Sequence, residues 1–196
     1  MPNLSSLAGK ALISIILIVS LTSTPILSSD GDAVLWTSLQ SGEHFALLRH
    51  AIAPGIGDPP DFELGNCRTQ RNLSEEGREQ AVKIGKLFRE NEIQKARVFS
   101  SQWCRCLETA KLLGLGPVQA LSSLNSFFNN YQYREAQTQE LTDWLHEQNL
   151  DQPLVLVTHQ VNITALSNVY PNSGELVIIH RSKTGEFAVI GTIKTE

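Results

Sequence analysis

Cysteine is scarce in this 196-residue sequence, basic residues are fewer than acidic ones, and no segment repeats at the period of a solenoid. Three cysteines are too few for a disulfide scaffold, and their spacing is not that of a zinc ribbon. The formal net charge of -4 argues against a generally basic nucleic-acid-binding protein, although it permits a local positive pocket. With 41% hydrophobic residues, the chain can bury the core of one domain of common size.

An apolar run near the N-terminus precedes this domain. Lys10 is the only charge before the apolar residues 11–21, and small and polar residues follow them. This order is typical of a secretory signal peptide, whereas a membrane-spanning helix needs roughly 20 apolar residues. Residues 1–29 are therefore predicted to be a signal peptide, and the alternative is an uncleaved N-terminal anchor. Only such an anchor would bring the protein into contact with a membrane. The domain formed by residues 30–196 is then expected in the periplasm or outside the cell, where cysteines can pair.

Short apolar runs alternate with amphipathic segments in the rest of the chain. The runs predict strands at 45–48, 97–100, 154–157, 175–179 and 187–193. Helices are predicted to begin at Ser74 and to cover 102–113, 134–149 and 161–168. This alternation indicates an α/β three-layer sandwich, in which helices flank a mostly parallel central sheet.

Basic side chains follow three of the predicted strands. Arg49-His50 ends the first strand, His159 follows the run at 154–157, and Arg105 lies in the first helical turn after the strand at 97–100. Ligands of such sheets bind beyond the carboxyl ends of the strands. Each of these residues taken alone is more often structural or solvated. Their coincidence at strand ends predicts one site with two imidazoles and two guanidiniums.

Four motifs, taken in order, resemble those of the histidine phosphatase superfamily, which is phosphoglycerate-mutase-like. They are Arg49-His50-Ala51, the helix opening Leu73–Ala81, the element running from Ser100-Ser101 through Arg105 to Thr109-Ala110, and Thr158-His159. The similarity extends from about residue 45 to residue 180. Each motif alone is weakly specific, and the series of four is strong.

The resemblance implies a phosphatase that acts through a phosphohistidine, with His50 as the nucleophile and His159 as a donor to the phosphate oxygens. A phosphomonoester carries close to two negative charges, and arginine is a permanently charged, two-pronged donor. Arg49 and Arg105 are therefore predicted to bind the phosphate together with His159. Because the guanidiniums neutralise charge that Mg²⁺ neutralises elsewhere, neither a metal nor another cofactor is expected.

The carboxylate that serves as general acid in this family has no counterpart at the usual positions of the sequence. Many members carry a glutamate where residues 121–128 here have no carboxylate, and Gln160 stands where the other branch has an aspartate. Asp58 and Asp61, in the loop after His50, are the candidates nearest in sequence, and Asp58 ranks first. The alternative is that both are turn residues.

The loop after His50 also carries Cys67, Arg68 and Arg71. We hypothesise one disulfide from Cys67 to either Cys104 or Cys106, the alternative being three reduced thiols. The default interpretation of both arginines is a solvated surface.

These observations together predict an exported, metal-independent phosphatase whose partner is a small phosphorylated substrate and not a nucleic acid. A phosphohistidine protein phosphatase is one alternative. A catalytically inactive module that binds phosphate groups is another.

Overall fold

A computed structural model describes residues 30–195 and contains a six-stranded mixed sheet. The strands are β1 His44–Arg49, β2 Arg97–Ser100, β3 Val118–Ala120, β4 Leu154–Thr158, β5 Leu176–Arg181 and β6 Phe187–Ile193. Their order is β3-β2-β4-β1-β5-β6. The first four strands in this order are parallel, β5 pairs antiparallel with β1, and β6 pairs antiparallel with β5. The predicted signal peptide, residues 1–29, lies outside the described residues.

Helices cover both faces of this sheet. They are α1 Asp30–Ser38, α2 Glu75–Glu90, α3 Cys104–Leu113, α4 Arg134–His146 and α5 Gln160–Ser167. Because successive strand residues point to opposite faces, Leu48 packs on the side of α1, α2 and α3, whereas Leu47 packs on the side of α4 and α5. The prediction of an α/β sandwich with helices on both faces of the sheet is confirmed.

Helix α2 is fixed beside the loop that follows His50. The Ser74 hydroxyl caps it by accepting a hydrogen bond from the amide of Gly77 at 3.0 Å. A Cβ on Gly77 would overlap the carbonyl of Ile52, so only glycine permits this approach. The capping serine and the close contact hold the start of α2 against the loop formed by residues 51–72, which we call the site loop.

Two elements were not predicted. Helix α1 packs Leu35 against Gly191 of β6 and sets Trp36 edge-on to Phe88, with 4.9 Å between the ring centroids. Strand β3 has only three residues and pairs with β2 at the edge of the sheet. Among residues 30–195, no helix combines the length and hydropathy needed to cross a membrane.

Candidate active site

The two predicted histidines meet because β1 and β4 are parallel neighbours in register. Arg49 pairs with Thr158, and the amide of His50 donates to the carbonyl of Thr158 at 3.0 Å. His50 and His159 therefore leave the sheet side by side, with ring centroids 5.5 Å apart. Both side chains are buried. The structure thus brings together the imidazoles that the sequence placed at two strand ends.

Arg105 lies between these rings, and all five of its N–H groups are in use. Its Nε donates to His50 Nε2 at 3.2 Å, and Nη2 lies 3.4 Å from His159 Nδ1. The other donors reach the two carboxylate oxygens of Asp58, at 2.7 and 3.1 Å, and the carbonyl of Arg71 at 3.2 Å. A phosphate can bind Arg105 only by displacing some of these acceptors.

Arg49, unlike Arg105, has a donor that lacks a hydrogen-bond partner in the described part of the chain. Its Nη1 donates to the carbonyl of Pro171 at 2.9 Å, whereas its Nε is buried and has no hydrogen-bond partner within residues 30–195. A buried donor without a partner costs free energy that an oxyanion at this position would recover. Arg49 therefore has a donor without a partner among the described residues, and it lines the same cavity as Arg105.

Arg71 corrects the expectation of a solvated surface residue. It is half-buried, it lines the cavity, and its side chain donates to the carbonyls of Gly57, at 2.7 Å, and Ala53. Burial and the nearby charge of Arg105 lower the pKa of Arg71 to about 10, so it remains charged at neutral pH. The site thus contains a third guanidinium, which the loop sequence alone did not reveal, whereas Arg68 is exposed as expected.

Hydrogen bonding fixes the tautomer of His50. Its Nδ1 lies 2.8 Å from the carbonyl oxygen of Ala51, which can only accept, so Nδ1 carries the proton. The lone pair of Nε2 is then directed at Arg105. Burial and the positive charge of Arg105 hold the pKa of His50 well below its usual value. His50 is therefore a neutral imidazole with an unprotonated Nε2, the form that a nucleophile requires.

His159 is held by residues that sequence reasoning did not place in the site. Its Nε2 lies 2.9 Å from the hydroxyl of Ser101, which also donates to Asn125 Oδ1 at 3.3 Å. Burial and Arg105 hold the pKa of His159 well below its usual value as well. Ser101 was visible only as the second serine of a motif, and Asn125 only as part of the stretch that lacks an acid.

Of the two acid candidates, only Asp58 lines the cavity. Trp103 Nε1 and the amide of Arg71 donate to its carboxylate, each at 3.0 Å, in addition to Arg105. Burial alone would raise the pKa of Asp58, but the hydrogen bonds and charge of Arg105 outweigh it and bring that pKa below its usual value. Asp58 is thus ionised in the free protein, and Asp61 is exposed.

A disulfide joins the site loop to α3. Cys67 is bonded to Cys104, which confirms one of the two hypothesised pairings, and Cys106 is free and buried. Burial raises the pKa of the Cys106 thiol to about 12, so it stays protonated although it lies 3.5 Å from His159 Nε2. The bridge fixes the loop next to the helical turn that carries Arg105.

Removing this bridge is expected to destabilise the fold. The Cys67→Ser/Cys104→Ser variant should lose about 3–4 kcal/mol of unfolding free energy in urea titrations, because the disulfide closes a long chain segment in the unfolded state. The separation of the two cysteines is 37 residues. Dithiothreitol should lower the stability of the wild-type protein by a similar amount and leave the variant unchanged. A wild-type stability that is insensitive to dithiothreitol would contradict the bridge.

The cavity in front of these residues has a volume of about 540 Å³. Both histidines and the three arginines line it and form what we call its floor. Trp103 and Phe128 also line the cavity, whereas Phe127 is buried in the interior. In the described part of the chain, no group of three or more His, Cys, Asp or Glu side chains is arranged to hold a metal ion. A small anionic ligand is what this floor can bind.

Solved structures share this architecture. The protein histidine phosphatase SixA complexed with tungstate has a TM-score of 0.56 at 11% identity, covering 78% of this chain and 97% of its own. An Entamoeba histolytica phosphoserine phosphatase mutant with phosphoserine has a TM-score of 0.57 at 14% identity, covering 78% and 98%. Mycobacterial glucosyl-3-phosphoglycerate phosphatase with VO₃ has a TM-score of 0.53 at 18% identity, covering 75% and 96%. At these identities the likeness shows the fold.

Sequence comparison identifies the family. No curated protein matches the chain significantly. The family model described as histidine phosphatase superfamily (branch 1) matches residues 46–140. The matched region contains Arg49 and His50 at the end of β1, and also the helix α3, which carries Arg105. This match assigns residues 46–140 to the histidine phosphatase superfamily, and the described chain has the fold of the solved phosphatases.

Proposed function

We propose that this protein is a phosphatase that hydrolyses a small phosphomonoester through a phosphohistidine formed on His50. One observation carries the proposal: the unprotonated Nε2 of His50 faces the same cavity as the donors of Arg49 and Arg105. A neutral imidazole can attack phosphorus without first losing a proton. Guanidiniums at the same place neutralise the phosphate and the charge that develops during transfer.

In the first step, Arg49 and Arg105 hold the phosphate oxygens while Nε2 of His50 attacks phosphorus. A nitrogen–phosphorus bond forms, the bond from phosphorus to the alcohol oxygen breaks, and Asp58 gives that oxygen a proton. In the second step, water attacks the phosphohistidine, loses a proton to Asp58 and releases inorganic phosphate. Metal ions are not needed for the charge balance, because the arginines supply the positive charge.

His159 stabilises the transferred group through Nδ1. In the free protein the Ser101 hydroxyl donates to Asn125, so it accepts from Nε2 of His159, and Nδ1 is left to accept from Arg105. When phosphate takes over the donors of Arg105, the Ser101 hydroxyl turns to donate to Nε2, and the imidazole proton then resides on Nδ1. That N–H can donate to an equatorial phosphate oxygen. Ser101 and Asn125 therefore act as positioning residues that set the tautomer of His159.

Asp58 takes up a proton from water after it loses Arg105 as its partner. In the free protein Asp58 is ionised because Arg105 binds it. A phosphate dianion that takes over the donors of Arg105 leaves the carboxylate without its cation and next to a like charge, which raises its pKa. Substrate binding would thus convert Asp58 from an ion-pair partner into an acid.

Export is part of the proposal. The charge and hydropathy pattern of residues 1–29 is that of a secretory signal, with an N-terminal anchor as the alternative. The Cys67–Cys104 disulfide supports an oxidising compartment such as the periplasm or the exterior of the cell.

The test is to trap the intermediate. Wild-type protein mixed with p-nitrophenyl phosphate in EDTA should release nitrophenol, and a rapid quench into base should yield a phosphopeptide whose label maps to His50. The label should be lost in acid, as expected for a nitrogen–phosphorus bond. Turnover without any label on His50 would contradict the mechanism. Phosphate binding with neither turnover nor label would indicate an inactive binding module.

A phosphohistidine protein phosphatase is the second candidate. Two observations favour it: the absence of a carboxylate at 121–128 and the fold shared with SixA. A nitrogen leaving group needs less help from an acid than an alkoxide does. Faster release of phosphate from a phosphohistidine-containing protein than from p-nitrophenyl phosphate would favour this candidate.

A further inference from the structure

The mouth of the cavity differs in character from its floor. Three apolar or aromatic side chains line it and are exposed: Ile56 at 90%, Phe128 at 36% and Tyr170 at 75%. They come from separate parts of the chain and are far more exposed than His50 and Arg105, which are each 2% exposed, and we call them the mouth. Exposed apolar side chains around a cavity usually mark a ligand-binding surface.

Neutral polar groups lie among these apolar side chains. Ser126, Asn129, Asn130 and Gln160 line the same cavity. Asn129 makes no side-chain hydrogen bond within the described chain, and Gln160 uses only its amide nitrogen, which donates to Thr164 at 2.8 Å. Their free amide atoms can both donate to and accept from hydroxyl groups. The mouth therefore offers hydrogen bonds suited to an alcohol with several hydroxyls.

Positive charge is confined to the floor. Among the described residues that line the cavity, the basic ones apart from the histidines are Arg49, Arg71 and Arg105, and the acidic one is Asp58. Arg71 already donates to two carbonyls, and the proposed function assigns the donors of Arg49 and Arg105 to the phosphate. A second anionic group on the substrate would lose solvation at the mouth without gaining a cation.

We propose that the substrate is the monophosphate ester of an uncharged, hydroxylated alcohol of the sugar class. Its phosphate binds the floor, its apolar C–H face packs on Tyr170 and Phe128, and its hydroxyls bind the amides of the mouth. This inference rests on the proposed phosphatase function and adds the chemical class of the leaving group. Tyr170, Phe128 and Asn129 are then the residues that determine specificity.

Glucose 1-phosphate and glucuronic acid 1-phosphate test the proposal, because they differ by one carboxylate. The value of kcat/KM should be higher for glucose 1-phosphate by about tenfold or more, as expected for an unpaired charge at a half-open site. Tyr170→Ala should lower kcat/KM for glucose 1-phosphate by about tenfold. Tyr133→Ala, which removes an exposed tyrosine outside the cavity, is the matched control and should have no effect.

A second variant should improve the use of the acidic sugar phosphate. Asn129→Arg should lower the ratio of kcat/KM for glucose 1-phosphate to kcat/KM for glucuronic acid 1-phosphate by about tenfold, because it places a cation where the carboxylate binds. Calorimetric binding of both compounds to the His50→Asn variant provides a readout that does not need turnover. Equal or tighter binding of the glucuronic acid ester, or a preference for phosphoramidate over both sugars, would overturn the inference. Failure to hydrolyse p-nitrophenyl phosphate would instead count against the phosphatase function, and the binding ratio would still decide the class of ligand.

Discussion

His50→Ala is expected to lower kcat for p-nitrophenyl phosphate by about 10⁴-fold or more, because it removes the atom that forms the covalent bond. Binding should survive, since Arg49 and Arg105 do not depend on His50 for their charge. Inorganic phosphate should therefore still bind to the site of the variant in a titration. The steady-state rate and the phosphate affinity, measured on the same preparation, separate chemistry from binding.

The control for this substitution must address folding. His50 is buried and accepts a hydrogen bond from Arg105, so its truncation leaves both a void and an unpaired donor. His50→Asn keeps a polar side chain at the position and should show the same loss of rate with a smaller loss of stability. His44→Ala, at the other end of β1, should leave kcat unchanged. A His50→Asn variant that retains a tenth of the rate would refute the role of His50 as nucleophile.

Long apolar runs and helix signals predicted most of the fold. The run 154–157 and the Ser74 cap were both identified from residue type and spacing, and both are confirmed. Strand β3 was missed because three residues at a sheet edge carry no periodicity. Helix α1 was missed because its start lies beside the apolar segment that was assigned to a signal peptide.

The candidate site was predictable where the chain direction determines position. Strand ends of a parallel sheet share one edge, so His50, His159 and Arg105 could be placed together without a structure. Arg71 could not, because its contribution depends on how a long loop folds back over the sheet edge. The Ser101–Asn125 contact was also hidden, since it joins segments that are 24 residues apart through two side chains.

The ion pair between Asp58 and Arg105 gives Asp58 two opposing effects on catalysis. Before substrate arrives, the carboxylate occupies two donors of the arginine that must bind phosphate, and only 15% of the Asp58 side chain is exposed. During turnover, the same carboxyl is the proposed acid, because Asp58 and not Asp61 lines the cavity. Affinity for phosphate and rate of turnover should therefore respond to this residue in opposite directions.

Asp58→Asn is expected to tighten the binding of inorganic phosphate by about tenfold, because charge-assisted hydrogen bonds to Arg105 no longer compete with the ligand. The same variant should lower kcat for an alkyl or sugar phosphate by about 10²- to 10³-fold, the usual contribution of a general acid. The loss for p-nitrophenyl phosphate should be much smaller, since nitrophenolate leaves without a proton. Calorimetry and steady-state kinetics with both types of ester measure these effects.

Asp61→Asn is the matched control, because it changes a carboxylate of the same loop that is exposed and outside the cavity. It should alter neither phosphate affinity nor the dependence of rate on the leaving group. If Asp61→Asn, and not Asp58→Asn, slows alkyl esters selectively, the loop must rearrange on binding and Asp61 is the acid. If Asp58→Asn weakens phosphate binding, the carboxylate orients Arg105 for the ligand and does not compete with it. In that case the exchange of partners that would protonate Asp58 does not occur, and the proton for the leaving group must come from water.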